Sequence, residues 1–271
     1  MKIDIAGIGI DNVTKAEVLD KLSGFAESGE PHLVATAYSE FVVFAQKDPR
    51  YRDVLNSAAL VLPDGIGMLW AAKFLSLPMR WPGPLKFLQA LIQVVYTGAS
   101  LIFYPRYCRT VIKEQVTGSL LVWDIAELCA KQGLRLALAG GFEGTADIAA
   151  RRLKEKFPDL AVSFVASDCR FDDVLVSRIK ASNSDILLIA YQPPRQEIWL
   201  AENLQNLNIK ACLGLGGTFD YLAGKRPLAP RFLHYMGLEW FWRLLTQPWR
   251  LKRMWNAIPV FISAVLRHKM R

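Results

Sequence analysis

The sequence predicts an α/β fold, a Rossmann-like parallel sheet with helices on both faces, extended by a helical basic C-terminal appendage and an amphipathic insertion. Three observations predict it. From residue 119 onward, short apolar stretches alternate with helical patterns, as in βαβ units. Hydrophobic residues make up 52% of the 271 residues and charged residues 21%, a composition that forms a sizeable core. Between Lys225 and Arg271, ten residues are Lys or Arg and one is acidic, so the net charge of +8 belongs to this tail.

The predicted elements follow in order along the chain. Apolar stretches at 2–9, 32–37 and 58–65 predict buried strands, and helical patterns at 14–27 and 39–48 lie between them. The regular part then predicts alternating helices and strands, at 120–132, 134–140, 144–157, 160–166, 172–182, 185–191, 194–206 and 209–216. Since helical crossovers join parallel strands, we expect a parallel sheet covered on both faces. We divide the chain into an α/β domain at 1–224 and an appendage at 225–271.

An apolar insertion at 81–110 interrupts this alternation. Its residues 85–104 carry a single charge, so a transmembrane span has to be considered. Four polar residues, however, recur at steps of three and four and form one helical stripe: Lys86, Gln89, Gln93 and Thr97. Residues 98–100 then interrupt the run. An amphipathic helix lying in an interface fits better than a span, and packing on the core or on a second subunit of a homo-oligomer stays open.

The C-terminal tail interleaves four Trp with arginines between residues 240 and 255. Trp and Arg together suit the headgroup zone of an anionic membrane. Nucleic acid also attracts a basic surface, but the apolar run at 259–266 is unsuited to phosphates and base edges. We therefore expect an anionic membrane surface as a partner and no nucleic acid.

Several classes of protein are excluded by what the sequence lacks. The four cysteines are far apart and form no CxxC pair, so neither a zinc site nor a disulfide framework is implied. Gly7-Ile8-Gly9 lacks the third glycine of a nicotinamide fingerprint, which excludes a classical dehydrogenase. The N-terminus does not read as a signal peptide. We expect a cytoplasmic protein, peripheral on the inner face of the cell membrane, with no cofactor and no metal.

Motifs near predicted strand ends are candidates for chemistry. Asp64 lies in a Pro-Asp-Gly sequence, where a carboxylate faces the ligand crevice of an α/β sheet and can deprotonate a hydroxyl, although this tripeptide is also a common turn. Thr36 can reach the same crevice or cap the helix at 39–48. Gly140 and Gly141 open a helix, a geometry that can direct backbone N–H groups toward a diphosphate or simply close a βα unit. Gln196, near a helix start, can hydrogen-bond a base or sugar.

Eight blocks of the chain form a familiar ordered set. They are IDIAGIGIDNVTKAEVL, VATAYSEFVVFAQKDP, LVLPDGIGMLWA, VTGSLL, LALAGG, PPRQEIWLAENL, LGLGGTFDYLAGK and GLEWFWRLLTQPWRLKR. Together they resemble the WecG/TagA/CpsF glycosyltransferase family over nearly the whole chain except 81–110 and the C-terminal end. The resemblance implies a Rossmann-like enzyme at the cytoplasmic membrane face. Such an enzyme transfers N-acetylmannosamine or a related sugar from a UDP-sugar donor to a lipid-linked N-acetylglucosamine acceptor, with inversion, in cell-surface polysaccharide synthesis.

The resemblance also implies roles for individual residues. Asp64 matches the proposed general base, which would deprotonate the acceptor hydroxyl, and Thr36 matches a polar residue beside it. The substrate-binding positions match a glycine turn near the nucleotide, the Gln of the donor pocket, and two appendage arginines that would neutralise the departing UDP diphosphate. These are, in that order, Gly140 and Gly141, Gln196, and Arg243 and Arg250.

The chain departs from the family pattern at polar and glycine positions around the expected site. Tyr38 stands where Asn is usual, Gln115 where Arg is usual and Leu120 where Asp is usual. Leu228 replaces the arginine of an Arg-Ala-Pro triplet, and the blocks at 168–171 and 190–192 also differ. Two functions therefore stay open. One is a membrane-associated glycosyltransferase, which the retained Asp64 favours, and the other is a catalytically impaired relative that acts as a binding or scaffold component of a polysaccharide-assembly complex.

Overall fold

A six-stranded parallel sheet forms the framework of the protein, in the computed structural model that describes residues 1–230, 233, 238–248 and 251–271. The strands are β1 (Lys2–Ile5), β2 (Ile8–Asp11), β3 (His32–Ala37), β4 (Leu60–Pro63), β5 (Arg135–Gly140), β6 (Ala161–Ala166), β7 (Ile186–Ala190) and β8 (Ala211–Gly214). In space the large sheet has the order β4-β3-β8-β7-β5-β6, and each neighbouring pair is parallel. The predicted Rossmann-like parallel sheet is confirmed.

Helices cover both faces of this sheet. They are α1 (Lys15–Ser28), α2 (Ser39–Lys47), α3 (Pro49–Ser57), α4 (Ile66–Ser76), α5 (Leu85–Phe103), α6 (Gly118–Gln132), α7 (Thr145–Lys156), α8 (Asp173–Ala181), α9 (Arg195–Asn203), α10 (Thr218–Leu222), α11 (Glu239–Thr246), α12 (Leu251–Trp255) and α13 (Phe261–Met270). Successive residues of β7 alternate between two cores, with Leu187 and Ile189 in one and Ile186 and Leu188 in the other. Because both faces of β7 are buried, it is apolar at every position.

In the first part of the chain one prediction is wrong and one helix, α3, was not predicted, whereas the helix predicted at 39–48 is confirmed as α2. The single strand predicted at 2–9 is an antiparallel hairpin of β1 and β2, because Ala6 and Gly7 take positive φ values of 53° and 89° and turn the chain. The helix predicted at 39–48 is followed directly by a second helix, α3. The side chain of Asp48 accepts hydrogen bonds from the backbone N–H groups of Arg50 and Tyr51, which ends one helix and caps the next.

The insertion forms the continuous helix α5, so the interruption predicted at 98–100 is wrong. Its polar stripe faces the protein. Gln89 Oε1 accepts hydrogen bonds at 2.9 Å from two backbone N–H groups of the segment before the helix, those of Arg80 and Trp81. Thr97 Oγ1 accepts a hydrogen bond at 2.9 Å from the indole N–H of Trp70. The polar side of α5 is therefore its packed side.

The apolar side of α5 lies outside. Large side chains on it are exposed to solvent, among them Leu85, Ile92, Val95, Tyr96 and Phe103, with Val95 72% and Phe103 85% exposed. By length and composition alone, the helix is apolar enough to cross a membrane. Only 17% of its 18-residue apolar stretch is buried inside the protein. An exposed apolar helix face of this size marks a surface that contacts lipid or protein.

The C-terminal segment returns to the core. In α13, Phe261 is 2% exposed and Val265 is fully buried, and Phe261 packs at 5.9 Å between ring centres against Trp70 of α4. The last helix of the predicted appendage thus shares a hydrophobic core with α2 and α4. The division of the chain after residue 224 stays a prediction.

Candidate functional site

A cavity of about 430 Å³ lies at the carboxyl ends of the central strands. Loops that follow β3, β4, β5, β7 and β8 form its floor, and α5 and the C-terminal helices complete its walls. Ligands of parallel α/β sheets bind at this end of the strands, in pockets of roughly 300–1,000 Å³. Four of the predicted site residues line it: Thr36, Asp64, Gly141 and Arg243.

Asp64 is held at the mouth of β4 by two backbone contacts. Its own N–H donates to the carbonyl oxygen of Ala37 at 2.8 Å, which fixes the loop to β3. Its carboxylate Oδ2 accepts a hydrogen bond at 3.2 Å from the N–H of Gly118, the first residue of α6. This N–H belongs to the first turn of α6, the positive end of a helix dipole. A Cβ on Gly118 would lie 3.3 Å from Leu215 Cδ2 and 3.5 Å from Asp64 Oδ2, so the start of α6 packs closely against the site.

Thr36 lies beside Asp64 on the neighbouring strand. Its hydroxyl donates a hydrogen bond at 2.8 Å to the carbonyl oxygen of Gly214 and thereby ties β3 to β8. The side chain is 3% exposed and still lines the cavity. The proton of the Thr36 hydroxyl is therefore used in a hydrogen bond to the framework.

The glycine turn after β5 is built for close packing. A Cβ on Gly140 would lie 2.7 Å from the carbonyl oxygen of Ala190, and one on Gly141 would lie 2.1 Å from Thr145 Oγ1. Gly141 lines the cavity, whereas Gly140 lies behind it. The N–H of Gly141 donates at 2.8 Å to the carbonyl oxygen of Ala190.

The first turn of α7, which the sequence suggested as a diphosphate cradle, already has acceptors. Asp168 accepts from the N–H groups of Glu143 and Gly144 at 2.9 and 3.2 Å. Ser167 Oγ accepts from the N–H of Ala146 at 3.1 Å. These contacts satisfy amides that would otherwise face an anion. Asp168 belongs to the 168–171 block in which this chain departs from the family pattern.

Gln196 is a buried cross-link between loops. Its Oε1 accepts from the N–H of Tyr191 at 3.1 Å and from the N–H of Gly216 at 3.2 Å, joining the segments after β7 and β8. Its Nε2 donates to Glu197, and the side chain is 1% exposed. Gln196 therefore shapes the cavity floor from behind and does not line the cavity.

Among the described residues of the C-terminal part, three arginines line the cavity. Arg243 lies with its guanidinium carbon 5.4 Å from the ring centre of Tyr221. Arg226 forms an ion pair with Asp220, at 3.1 Å between Nη2 and Oδ2. Arg253, which sequence reasoning missed, is the third. Arg250, the other predicted arginine, lies outside the described residues.

Arg253 joins the tail to the loop after β3. Its guanidinium donates to the carboxylate of Glu40, with 2.7 Å between Nη2 and Oε2, and to the phenol oxygen of Tyr38 at 3.1 Å. Glu40 is 4% exposed, so the charge pair lies in the cavity wall rather than at the surface. Burial raises the pKa of the Tyr38 phenol above its ordinary value, so the phenol stays neutral and accepts this hydrogen bond. The sequence contained one signal for Arg253, which is that it is a basic residue three positions after the predicted Arg250.

Glu197 forms a second buried network behind the floor. The phenol of Tyr51 donates to its Oε2 at 3.3 Å, and the side chain is fully buried. Burial raises the pKa of Glu197 to about 8, so the carboxyl is mostly protonated at neutral pH. A neutral, hydrogen-bonded carboxyl supports the Gln196 cross-link without a buried charge.

The departures from the family pattern fall into two groups. Tyr38, Gln115 and the 190–192 segment line the cavity. Leu120 and Leu228 are each 46% exposed and do not line it. Within the described part of the chain, no three His, Cys, Asp or Glu side chains are grouped closely enough to hold a metal ion.

Comparisons with known proteins agree with this architecture. The model of the glycosyl transferase WecG/TagA/CpsF family matches residues 3–94 and 82–271. The chain is also similar to an N-acetylglucosaminyldiphosphoundecaprenol N-acetyl-beta-D-mannosaminyltransferase of Bacillus spizizenii, at 26% identity over 90% of this chain and 82% of the relative. A protein of the same name from Staphylococcus aureus is 22% identical over 100% of this chain and 94% of its own length.

The family match spans the sheet, the cavity loops, α5 and the C-terminal helices. It therefore includes every element that positions Asp64 and the arginines. Together with the strand-end cavity, this match establishes the chain as a glycosyltransferase of the WecG/TagA/CpsF family.

Proposed function

We propose that this enzyme transfers N-acetylmannosamine or a related sugar from a UDP-sugar to polyprenyl-diphosphate-linked N-acetylglucosamine. The observation that carries the proposal is the Asp64 carboxylate, fixed in a strand-end cavity that arginines also line. The similar proteins of Bacillus spizizenii and Staphylococcus aureus are named as N-acetylmannosaminyltransferases that act on N-acetylglucosaminyldiphosphoundecaprenol. The combination of one carboxylate and several guanidinium groups suits a reaction that takes up a proton and releases a diphosphate.

In the proposed reaction, Asp64 accepts the proton of an acceptor hydroxyl. The hydroxyl oxygen then forms a bond to the anomeric carbon of the donor sugar, while the bond between that carbon and the UDP oxygen breaks. Attack from the face opposite the leaving group inverts the anomeric carbon. The hydrogen bond from Gly118 holds the carboxylate in position at the cavity.

The electron pair of the broken bond remains on the UDP diphosphate. Arg243 and Arg226 line the cavity and can donate hydrogen bonds to its oxygens. Removing one such donor from a site typically costs about 10²–10³ in rate. We infer that Thr36 and Gln196 act indirectly, because their hydrogen bonds hold β3, β7 and β8 in register around the cavity.

The Asp64→Asn variant tests this mechanism. It removes the proton acceptor while keeping the shape, so we expect turnover to fall by at least ~10² with little change in UDP binding. The assay measures UDP release with a polyprenyl-diphosphate-linked N-acetylglucosamine acceptor, and thermal protection by UDP reports binding. Asp124→Asn, at a carboxylate paired with Lys15 away from the cavity, is the matched control. Transfer by Asp64→Asn at the parental rate would show that Asp64 is a turn residue only.

We further infer that the enzyme is peripheral on the cytoplasmic face of an anionic membrane. The exposed apolar side of α5 and the Arg- and Trp-rich tail support this. Two weak attachments on one molecule combine through effective concentration, so modest affinities suffice for stable binding. The lipid-linked acceptor gives the functional reason, because its sugar lies just outside the headgroups.

Vesicle sedimentation tests the membrane contact. Val95→Asp combined with Phe103→Asp places two charges on the exposed side of α5, and we expect binding to anionic vesicles to weaken at least tenfold. Val174→Asp, at an equally apolar position that is 64% exposed on α8, is the control and should bind normally. Equal binding by the wild type, the double variant and Val174→Asp would indicate that α5 contacts another protein and not lipid. A salt-independent dimer that the double variant disrupts would identify a second copy as the partner.

A further inference from the structure

The cavity has a second wall that the proposed sugar transfer does not use. On this side α5 contributes Val94, Gly98, Leu101 and Ile102, and the C-terminal helices contribute Met254, Ala257, Ile258, Phe261 and Ile262. These residues and Trp70 carry no charge, and the only polar atom that their side chains contribute is the Trp70 indole N–H, which Thr97 accepts. A nucleotide or a sugar gains little from such a wall.

The apolar wall is continuous with the outer face of the protein. The four α5 residues follow one another at steps of four, three and one, so they form one stripe along the helix. From Val94 to Ile102 this stripe is about 12 Å long, at the rise of an α-helix. Ile102 belongs both to the cavity wall and to the exposed face, where it is 44% exposed. An apolar chain can therefore leave the cavity along α5 without crossing a polar rim on that side.

Gly98 leaves space in the middle of this stripe. A Cβ built on Gly98 meets no atom within 4 Å, although the residue lies inside a helix. Glycine in a helix interior is destabilising by roughly 0.5–1 kcal/mol relative to alanine, so the space is kept at a cost. On the same side of the cavity, Arg253 directly precedes Met254. Its guanidinium pairs with Glu40 through Nε and Nη2, and its side chain, 30% exposed, still lines the cavity at the start of the apolar wall.

We propose that this wall is a groove for the first isoprene units of a polyprenyl diphosphate, with its diphosphate near Arg253, apart from the UDP diphosphate at Arg243 and Arg226, and its chain along α5 past Gly98. The occupant follows from the chemistry of the two ends, because an anionic head joined to a branched apolar chain matches an arginine at the start of an uncharged groove. The inference rests on the proposed acceptor and deepens it. The groove directs the chain to the exposed side of α5, where lipid would receive it.

The test measures binding directly and needs no sugar transfer. Geranylgeranyl diphosphate, isopentenyl diphosphate and inorganic diphosphate are titrated into the full chain below their micelle concentrations, with calorimetry as the readout. We expect geranylgeranyl diphosphate to bind at least tenfold more tightly than the two probes that lack a long chain. Gly98→Leu fills the groove and should remove this advantage, whereas Gly98→Ala, which adds one carbon, should keep most of it.

Gly24→Leu is the matched control. Gly24 is also a helical glycine whose added Cβ would meet nothing within 4 Å, but it lies on α1, away from the cavity. Equal affinity for the long and short probes, or unchanged geranylgeranyl diphosphate binding by Gly98→Leu, would overturn the groove. Transfer assays then separate the two proposals. An enzyme without transferase activity that still shows the chain-length effect would refute the proposed function alone, and an active enzyme without the effect would refute the groove alone.

Discussion

The contact between Arg253 and Glu40 gives the sharpest prediction about the tail. Arg253→Gln removes a guanidinium that lies 2.7 Å from one carboxylate oxygen of Glu40 and also donates to Tyr38. The carboxylate then remains in the cavity wall, 4% exposed, without its charge partner. Since α13 is anchored independently by Phe261 and Val265, we expect the variant to fold.

The size of the effect follows from burial. Breaking a fully buried ion pair from one side costs about 3–5 kcal/mol, because the remaining charge is uncompensated. The Arg253 side chain is 30% exposed, and water can partly replace it. We therefore expect the free energy of unfolding to fall by about 2–3 kcal/mol in Arg253→Gln. The double variant Glu40→Gln/Arg253→Gln should lose less than the sum of the two single variants, since it leaves no unpaired charge.

Urea denaturation of the wild type, both single variants and the double variant measures this coupling. We expect an interaction energy of about 1–2 kcal/mol, and Tyr38→Phe, which keeps the ion pair, should cost less than Arg253→Gln. Turnover with a lipid-linked acceptor, measured on the same proteins, should fall in Arg253→Gln, because the tail no longer fixes the loop after β3. Stability changes that add within about 0.5 kcal/mol would refute the reasoning, because they would mean that the two side chains do not interact in solution.

Two further predictions concern the buried networks behind the cavity floor. Gln196→Ala leaves the N–H groups of Tyr191 and Gly216 without their acceptor, so denaturation should show a free energy of unfolding lower by about 2–4 kcal/mol. Initial rates should show a higher KM for the donor. An unchanged stability would contradict the cross-link. Burial raises the pKa of Glu197 from 4.5 to about 8. Between these two pH values the folded protein holds a proton that the unfolded chain releases. The free energy of unfolding should therefore fall as pH rises through this range, by on the order of 1 kcal/mol per pH unit. Glu197→Gln should lack this pH dependence of the free energy of unfolding. Glu202→Gln, at a residue whose side chain is 47% exposed, is the control and should keep it. Equal pH profiles for Glu197→Gln and the wild type would show that Glu197 is ionised in the folded state.

The sheet and the strand-end position of Asp64 could be predicted because they depend on local pattern. Alternating apolar stretches and helical segments fix a parallel sheet, and a parallel sheet fixes which strand ends form the crevice. Asp64 and Thr36 were therefore found from their positions alone. The helical pattern at 14–27 predicted α1, and the structure adds the cap at its start, where the side chains of Thr14 and Glu17 bond each other's backbone.

The roles of Gly140 and Gln196 could not be predicted, because they depend on contacts between loops distant in sequence. A glycine turn and a glutamine near a helix start look like ligand groups in the sequence. In the folded protein Gly140 admits the carbonyl oxygen of Ala190, and Gln196 bonds backbone groups on both sides of the cavity floor. Hydrogen-bonding capacity is a property of the residue, but its partner is a property of the fold.

The sequence by itself determined the fold class, the family and the position of Asp64, since periodicity and motif order carry that information. It also determined that α5 is amphipathic. Only the tertiary structure decided which side of α5 faces out, because the polar stripe finds backbone partners near Pro78 and an indole N–H on Trp70 and therefore packs inward. The tertiary structure likewise brought Arg253 to Glu40 across more than 200 residues of chain. Both outcomes follow from the same physical cause, which is that buried polar groups must be paired, and a sequence pattern does not show where their partners lie.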